Sequence, residues 1–290
     1  LFIDSSLQFF TGSNIFGWET PSSGRISSLF GKELKMGSYI SRIFPILILS
    51  LYVYFNQKKF QLSFIIVIFV SFYLIVISGE RTALFNIILF LIIFILANKQ
   101  YRLLITLITL ISLFLSTFII LKNENLSNRA ILTIEQTGIG TDNIRFFSDQ
   151  HEAHYLSALK MFVDKPIFGH GVKMFRDLCD FDIYKVEQGC ASHPHNIYLQ
   201  FLSETGVIGS MFLLFFYIFI FKDFILLLNS NYPNKTQFFI VLTIIIVNFF
   251  PFIPSGNFFN NWNSLIYYLP IGFYLFFKKD FNKYLNETKK

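Results

Sequence analysis

Apolar positions along the chain gather into seven runs separated by short polar turns: Tyr39–Phe55, Phe60–Ser78, Thr82–Ala97, Leu103–Leu121, Val207–Leu228, Phe238–Ile253 and Trp262–Phe277. None alternates with the period of a strand, and most approach the roughly 20 residues that a helix needs to cross a bilayer core. The runs beginning at Thr82, Phe238 and Trp262 are the shortest. The pattern therefore predicts an all-α fold, a polytopic transmembrane helical bundle of four helices over 39–121 and three over 207–277. Between the two groups lies a long polar stretch, 122–206. Segments 1–38 and 278–290 flank the whole as an outer amino-terminal segment and a cytoplasmic tail. Composition agrees: 53% of the 290 residues are hydrophobic, 40 are Phe and 14% are charged. A soluble domain is nearer one quarter charged. The first residue is Leu1, and no signal-like pattern precedes the runs, so the chain reads as a fragment whose earlier part is missing.

The distribution of basic residues predicts orientation. Lys58 and Lys59, Lys99 and Arg102, Lys222 and Lys235, and the tail lysines Lys278, Lys279, Lys283, Lys289 and Lys290 all fall on one side of the predicted spans. The opposite short turns hold only Arg81, or nothing, as over 254–261. The positive-inside rule puts the lysine side in the cytoplasm and 122–206 outside. These lysines account for the net charge of +6, so no nucleic-acid partner is implied. The cores of the runs read as free of Asp and Glu, which argues against an ion-coupled transporter or flippase.

The outer stretch holds all five histidines (His151, His154, His170, His193, His195), both cysteines, and eleven of the eighteen carboxylates beside eight basic residues. Such mixed charge predicts a folded, partly helical loop. Ser148 followed by DQHEAHYLSALKMFV reads as a capped helix with acidic residues in its first turn, ended by Asp164, Lys165 and Pro166. Cys179 and Cys190 lie in a compartment read as oxidising, and a disulfide is the expected pairing, contributing about 3 kcal/mol. Two unpaired thiols, or zinc ligation with histidines at a spacing that matches no standard module, are the alternatives. Farther on, HPHN at 193–196 precedes an apolar run. Pro194 suits a first helical turn with Ser192 or His193 as cap. If the helix runs unbroken, Gly206 and Gly209 fall below His195 and leave that face bare for another helix or a lipid-linked substrate.

His195, Asn196, nine residues, then Gly206-Val-Ile-Gly209 is similar to the H-(N/S/Q)-x9-G-x-x-G signature of the bacterial O-antigen ligase family, related to the Wzy-type O-antigen polymerases. SGERTAL at 78–84 resembles that family's S-x-R-T-A-like segment, and DKPIFGHGVKMFR at 164–176 its P-(I/L)-x-G-x-G turn. The region RISSLFGKELKMGSYISR at 25–42 also looks familial, so the resemblance extends over most of 22–275. It implies a C-type membrane glycosyltransferase in the bacterial inner membrane, its active site facing the periplasm. The donor would be an undecaprenyl-diphosphate-linked glycan. The acceptor would be a sugar hydroxyl of lipid A core in a ligase, or a second lipid-linked glycan in a polymerase. His195 would be the general base and Asn196 its orienting neighbour. Arg81 would hold the diphosphate, with Arg145 second and Arg25, Arg42 and Arg129 weaker candidates. Relatives commonly carry an arginine in the loop helix where this chain offers His151 and His154; these and His193 join the substrate-binding candidates. Asp177, Asp180, Asp182 and Glu187 read as solvated loop charges and not as a metal site, so neither a metal nor a cofactor is expected.

Overall fold

The computed structural model describes residues 1–137 and 147–288 of the chain. The described residues form eleven α-helices, a 3-10 turn at Ser28–Phe30, and no strand. In chain order the helices are α1 (Phe2–Thr11), α2 (Met36–Tyr54), α3 (Gln57–Ser78), α4 (Arg81–Ala97), α5 (Arg102–Lys122), α6 (Glu124–Thr137), α7 (Asp149–Asp164), α8 (Phe175–Leu178), α9 (Ile197–Leu228), α10 (Lys235–Asn248) and α11 (Asn261–Glu287). Each apolar run of the sequence coincides with one of these helices. Among the described helices α2, α3, α5 and α9 are long and apolar enough to cross a membrane, while α4 and α10 are shorter apolar helices. The chain is an all-α, multi-pass membrane protein.

Two compact units divide it. The first comprises residues 1–133 and 234–247, the second 134–233 and 248–290. The core of the first unit is built on phenylalanine. Phe44 meets Phe90 edge-on at 5.6 Å between ring centroids, Phe60 stacks on Phe64 at 5.4 Å, and Phe64 meets Phe94 at 6.0 Å. Lipid tails are as apolar as these side chains, so helices here are held by such close ring packing more than by exclusion from water. Asn56 caps α3 by accepting from the Lys59 N–H at 3.1 Å, and the helix ends at Gly79 with φ +64, a left-handed conformation that glycine reaches without a Cβ penalty.

In the second unit, α7 starts where the sequence places it, with Ser148 as cap. Ala158 and Met161 of α7 pack with Phe175, Cys179 and Tyr184 into a small buried core that Leu178, Cys190 and Leu199 complete. The disulfide between Cys179 and Cys190 closes this loop.

Three sequence expectations change. The sixth run was expected to continue to Ile253, yet α10 stops at Asn248; Pro251 and Pro254 restrict the residues before them to extended conformations. The helix after HPHN begins at Ile197 with Asn196 as its cap, leaving Pro194 outside it. Finally, the span cores are not free of carboxylates. Asp223 lies inside α9 at 2% exposure. It accepts from Lys278 Nζ at 2.5 Å and from the Tyr274 hydroxyl at 2.8 Å, so this charge ties α11 to α9.

Candidate functional site

Helix α9 is broken at Gly206, whose φ of 65° and ψ of −166° belong to a region open essentially to glycine alone. A break strands carbonyls at the end of the first half and N–H groups at the start of the second. The turn at 166–171 satisfies both. The N–H groups of His170 and Gly171 donate to the Ser203 and Glu204 carbonyls at 3.0 and 2.9 Å, and the Pro166 carbonyl accepts from the Val207 N–H at 2.8 Å. The fit leaves no room for side chains. A Cβ on Gly206 would lie 2.3 Å from the Ile167 carbonyl oxygen, and one on Gly169 would lie 2.4 Å from the Glu204 carbonyl carbon. Gly209 is closed off by its own helix, with Thr205 Oγ1 2.1 Å from its ideal Cβ position. The helix thus does not run unbroken, and the face left bare by Gly206 is filled by the chain's own turn.

Glu204, 1% exposed, completes the joint. Its carboxylate accepts from the Lys173 and Phe175 N–H groups at 3.0 and 3.3 Å and from Gln200 Nε2 at 3.1 Å. Gln200 also donates to Asn257 Oδ1 at 2.8 Å and accepts from the Phe258 N–H at 3.0 Å. Sequence reasoning passed over both residues. A signal was available: a lone carboxylate at the mouth of an apolar span is costly without partners.

The splice leads to a cluster of imidazoles at the start of α9. Asn196 Oδ1 accepts from the Tyr198 and Leu199 N–H groups at 2.9 and 3.1 Å, while its Nδ2 donates to the Pro251 carbonyl at 2.9 Å. His195 therefore sits immediately outside the helix, at φ +55, with its own carbonyl accepting from the Ser255 N–H at 2.8 Å. Around its ring lie three others, with centroids 4.1 Å away for His193, 5.2 Å for His154 and 5.5 Å for His151. The structure thus brings together four of the five histidines that the sequence confines to one loop. His170 stands apart as a brace, its Nε2 bonded to the Met161 carbonyl at 3.0 Å.

Their bonding differs. His193 Nε2 donates to the Ser255 carbonyl at 3.1 Å and its Nδ1 faces the Ser192 hydroxyl at 3.0 Å, which fits the neutral ring. His151 Nδ1 lies 2.7 Å from the Ser148 hydroxyl. His154 is 2% exposed, and its Nδ1 has no hydrogen-bond partner. Burial, opposed by the Ser255 carbonyl, brings His193 down to about 4. Burial and the neighbouring imidazoles bring His195 down to about 3. The resting ring of His195 is therefore neutral, the form that accepts a proton. It is a weaker base than the near-6.5 value expected from an unperturbed histidine.

The arginine candidates on described residues belong to the other unit, where they gather around Gly79 and Glu80. Arg25 reaches the Ser78 carbonyl at 3.2 Å, the Leu34 carbonyl at 2.8 Å and Glu80 Oε1 at 3.6 Å. Arg129 donates to the Gly79 carbonyl at 3.2 Å. The Glu80 carboxylate accepts from the Gly37 and Ser38 N–H groups at 2.8 and 2.9 Å, which commits it to the first turn of α2. Arg81 and Arg129 both line a cavity of about 90 Å³ at the ends of α3 and α5. Burial lowers the Arg25 guanidinium from its ordinary value; Glu80 opposes this, and Arg129 and Arg81 add to it. Three guanidiniums thus share one electrostatic environment. Arg42 lies separately, on α2. Arg145 falls outside the described residues.

A family model described as O-antigen ligase matches residues 65–214, just over half of the chain. The chain belongs to the O-antigen ligase family. The matched region holds Arg81, Arg129, the four clustered histidines, the turn at 166–171 and both glycines of the α9 joint. No curated protein and no solved structure matches the chain. Membership of the O-antigen ligase family makes this multi-pass protein a ligase-type glycosyltransferase that works on lipid-linked glycans at the membrane.

Proposed function

We propose that the chain transfers a glycan from undecaprenyl diphosphate to a sugar hydroxyl of lipid A core, at the periplasmic face of the bacterial inner membrane. The observation that carries this reading is the four-imidazole cluster, with His195 at its centre, held against the Asn196-capped start of α9 inside the family-matched region. In this reading the loop 122–206 is periplasmic and the lysine-rich turns are cytoplasmic. The acceptor hydroxyl oxygen bonds to the anomeric carbon as the bond from that carbon to the diphosphate oxygen breaks. The hydroxyl proton passes to the neutral His195 ring, and the diphosphate leaves with its charge met by Arg81 and its neighbours. A negatively charged donor beside the cluster raises the basicity of an imidazole otherwise held low by burial, so base strength develops when donor is bound. His151, His154 and His193 surround the base, and Asn196 fixes where it stands.

The test is transfer from an undecaprenyl-diphosphate glycan, with product mass as readout, in the presence of lipid A core or of a second lipid-linked glycan. His195→Ala and Arg81→Ala are each expected to lose transfer while the protein still inserts and accumulates. Near-normal transfer by either variant removes that residue from the mechanism. A product carrying two glycans on one lipid diphosphate, with lipid A core untouched, replaces the ligase by a Wzy-type polymerase. Loss of transfer on chelation, restored by a divalent ion, overturns the expectation of metal independence.

A further inference from the structure

Helix α5 buries Ile105, Ile108, Ser112 and Ser116, which recur at helical spacing along one face. The first pair is bulky and the second small. Where the serines stand, the seam between α3 and α5 opens into a groove of about 540 Å³, walled by Phe69 and Tyr73 of α3 and by Phe118 and Ile119 of α5. The wall is apolar apart from the serines, and the Ser112 hydroxyl is buried there without a hydrogen-bond partner. A longer residue at either serine would fill the opening.

The groove does not end blindly. One turn beyond Tyr73 on α3, and one residue beyond Ile119 on α5, Val76 and Ile120 line the cavity that holds Arg81 and Arg129. Both helices therefore carry, in the same direction along one seam, first an apolar channel and then a cationic pocket at the amino terminus of α4. Glu80 also lines that pocket, but its carboxylate is taken up by the Gly37 and Ser38 N–H groups and by Arg25, so an anion is favoured there by Arg81, Arg129 and the helix end together. The ligand that fits both parts is an amphiphile with a single long apolar chain ending in a multiply charged phosphate.

We infer that the α3–α5 groove holds the isoprenoid tail of a polyprenyl diphosphate, with Arg129 joining Arg81 and Arg25 around its head. The inference rests on the proposed donor class, but its test does not depend on glycan transfer. Binding of glycan-free undecaprenyl diphosphate and of inorganic pyrophosphate to the full chain is measured side by side. Ser116→Phe is expected to weaken the lipid by about tenfold or more, since a ring in the groove displaces buried hydrocarbon, and to leave pyrophosphate binding unchanged. Unchanged pyrophosphate binding also shows that the variant is folded. Arg129→Gln is expected to weaken both ligands. Leu110→Phe, at an exposed position of α5, is expected to change neither.

Equal lipid affinity for Ser116→Phe and the parent overturns the groove assignment, and so does equal displacement of the lipid by phosphatidylglycerol, which would make the seam a general lipid crevice. If the parent binds undecaprenyl diphosphate through the groove but transfers no glycan to any acceptor, the groove stands and the transferase reading falls.

Discussion

Replacing Gly206 by alanine tests the spliced helix directly, and two separate costs add. The backbone is held at φ 65° and ψ −166°, and placing a residue with a Cβ in so sparse a region costs about 1–3 kcal/mol. The new Cβ also lies 2.3 Å from the Ile167 carbonyl oxygen and 2.7 Å from the Gly169 N. Both are backbone atoms that no rotamer change can move aside, so the turn must back away. The bonds from His170, Gly171 and Val207 that bridge the break then lengthen or go. Each buried backbone bond contributes about 0.5–1.5 kcal/mol net, so the whole penalty is about 3–6 kcal/mol against a stability of about 5–15 kcal/mol for a typical domain. One control separates the terms. Gly12 has φ +84 with nothing within 4 Å of an added Cβ, so Gly12→Ala carries a left-handed backbone cost without the clash. Thermal unfolding in detergent is expected to rank Gly206→Ala far below it, with transfer lost in step. A Gly206→Ala melt equal to that of Gly12→Ala would refute the interlocked joint.

Two further predictions concern buried charge. Lys278→Met strands Asp223 inside α9 with only Tyr274 as partner and is expected to cost about 3–5 kcal/mol; Asp223→Asn added to it should recover most of the loss in thermal melts, and a single variant as stable as the parent would remove this anchor. Acid should loosen the histidine cluster. Both His193 (about 4) and His195 (about 3) are held below the ordinary histidine value, so the unfolded chain binds more protons below about pH 6.5. Their contribution is complete above that pH and lost as pH falls toward 4, by at most about 1.4 kcal/mol per pH unit for each ring. Denaturant unfolding at pH 5 and pH 7.5 checks the sign, and His193→Gln should flatten the dependence.

The helical architecture is legible in the sequence because runs such as Phe60–Ser78 are apolar on every face, and a chain in lipid has few ways other than a helix to satisfy its backbone. The start of α7 is legible too, since Ser148 and the acidic first turn are local signals. What stays hidden is anything that depends on distant partners. Around Gly206 the sequence TGVIGSMF reads as uninterrupted apolar helix; the break is visible only once the turn at 166–171, some 35 residues upstream, is seen to bridge it. His193 and His195 announce themselves, but their meeting with His151 and His154 depends on how α7 lies against α9. Asp223 was overlooked for a related reason: five residues from the end of its run it passes for an interfacial charge, and only Lys278 and Tyr274, more than fifty residues on, reveal it as buried. Arg129 likewise looks like a headgroup contact until Gly79 and Arg81 are found beside it.

The two glycine motifs that carry the family likeness are, in physical terms, one object. The P-x-x-G-x-G turn supplies the hydrogen bonds that the broken helix lacks, and the G-x-x-G segment supplies the missing side chain that lets the turn approach. Neither half makes sense alone. Because the turn begins directly after Lys165, which closes α7, and because His170 within the turn is bonded to the Met161 carbonyl, fixing the turn also fixes the carboxyl end of α7. The amino end of that same helix presents His151 and His154 to His195. Glu204 ties the following segment, Lys173 to Phe175, to the first half of α9, whose opening residue is set by the Asn196 cap. The position of the central imidazole is thus determined from both sides, by the cap beneath it and by a helix anchored through the joint at Gly206. Gly206, eleven positions from His195, thus helps to set where that imidazole stands.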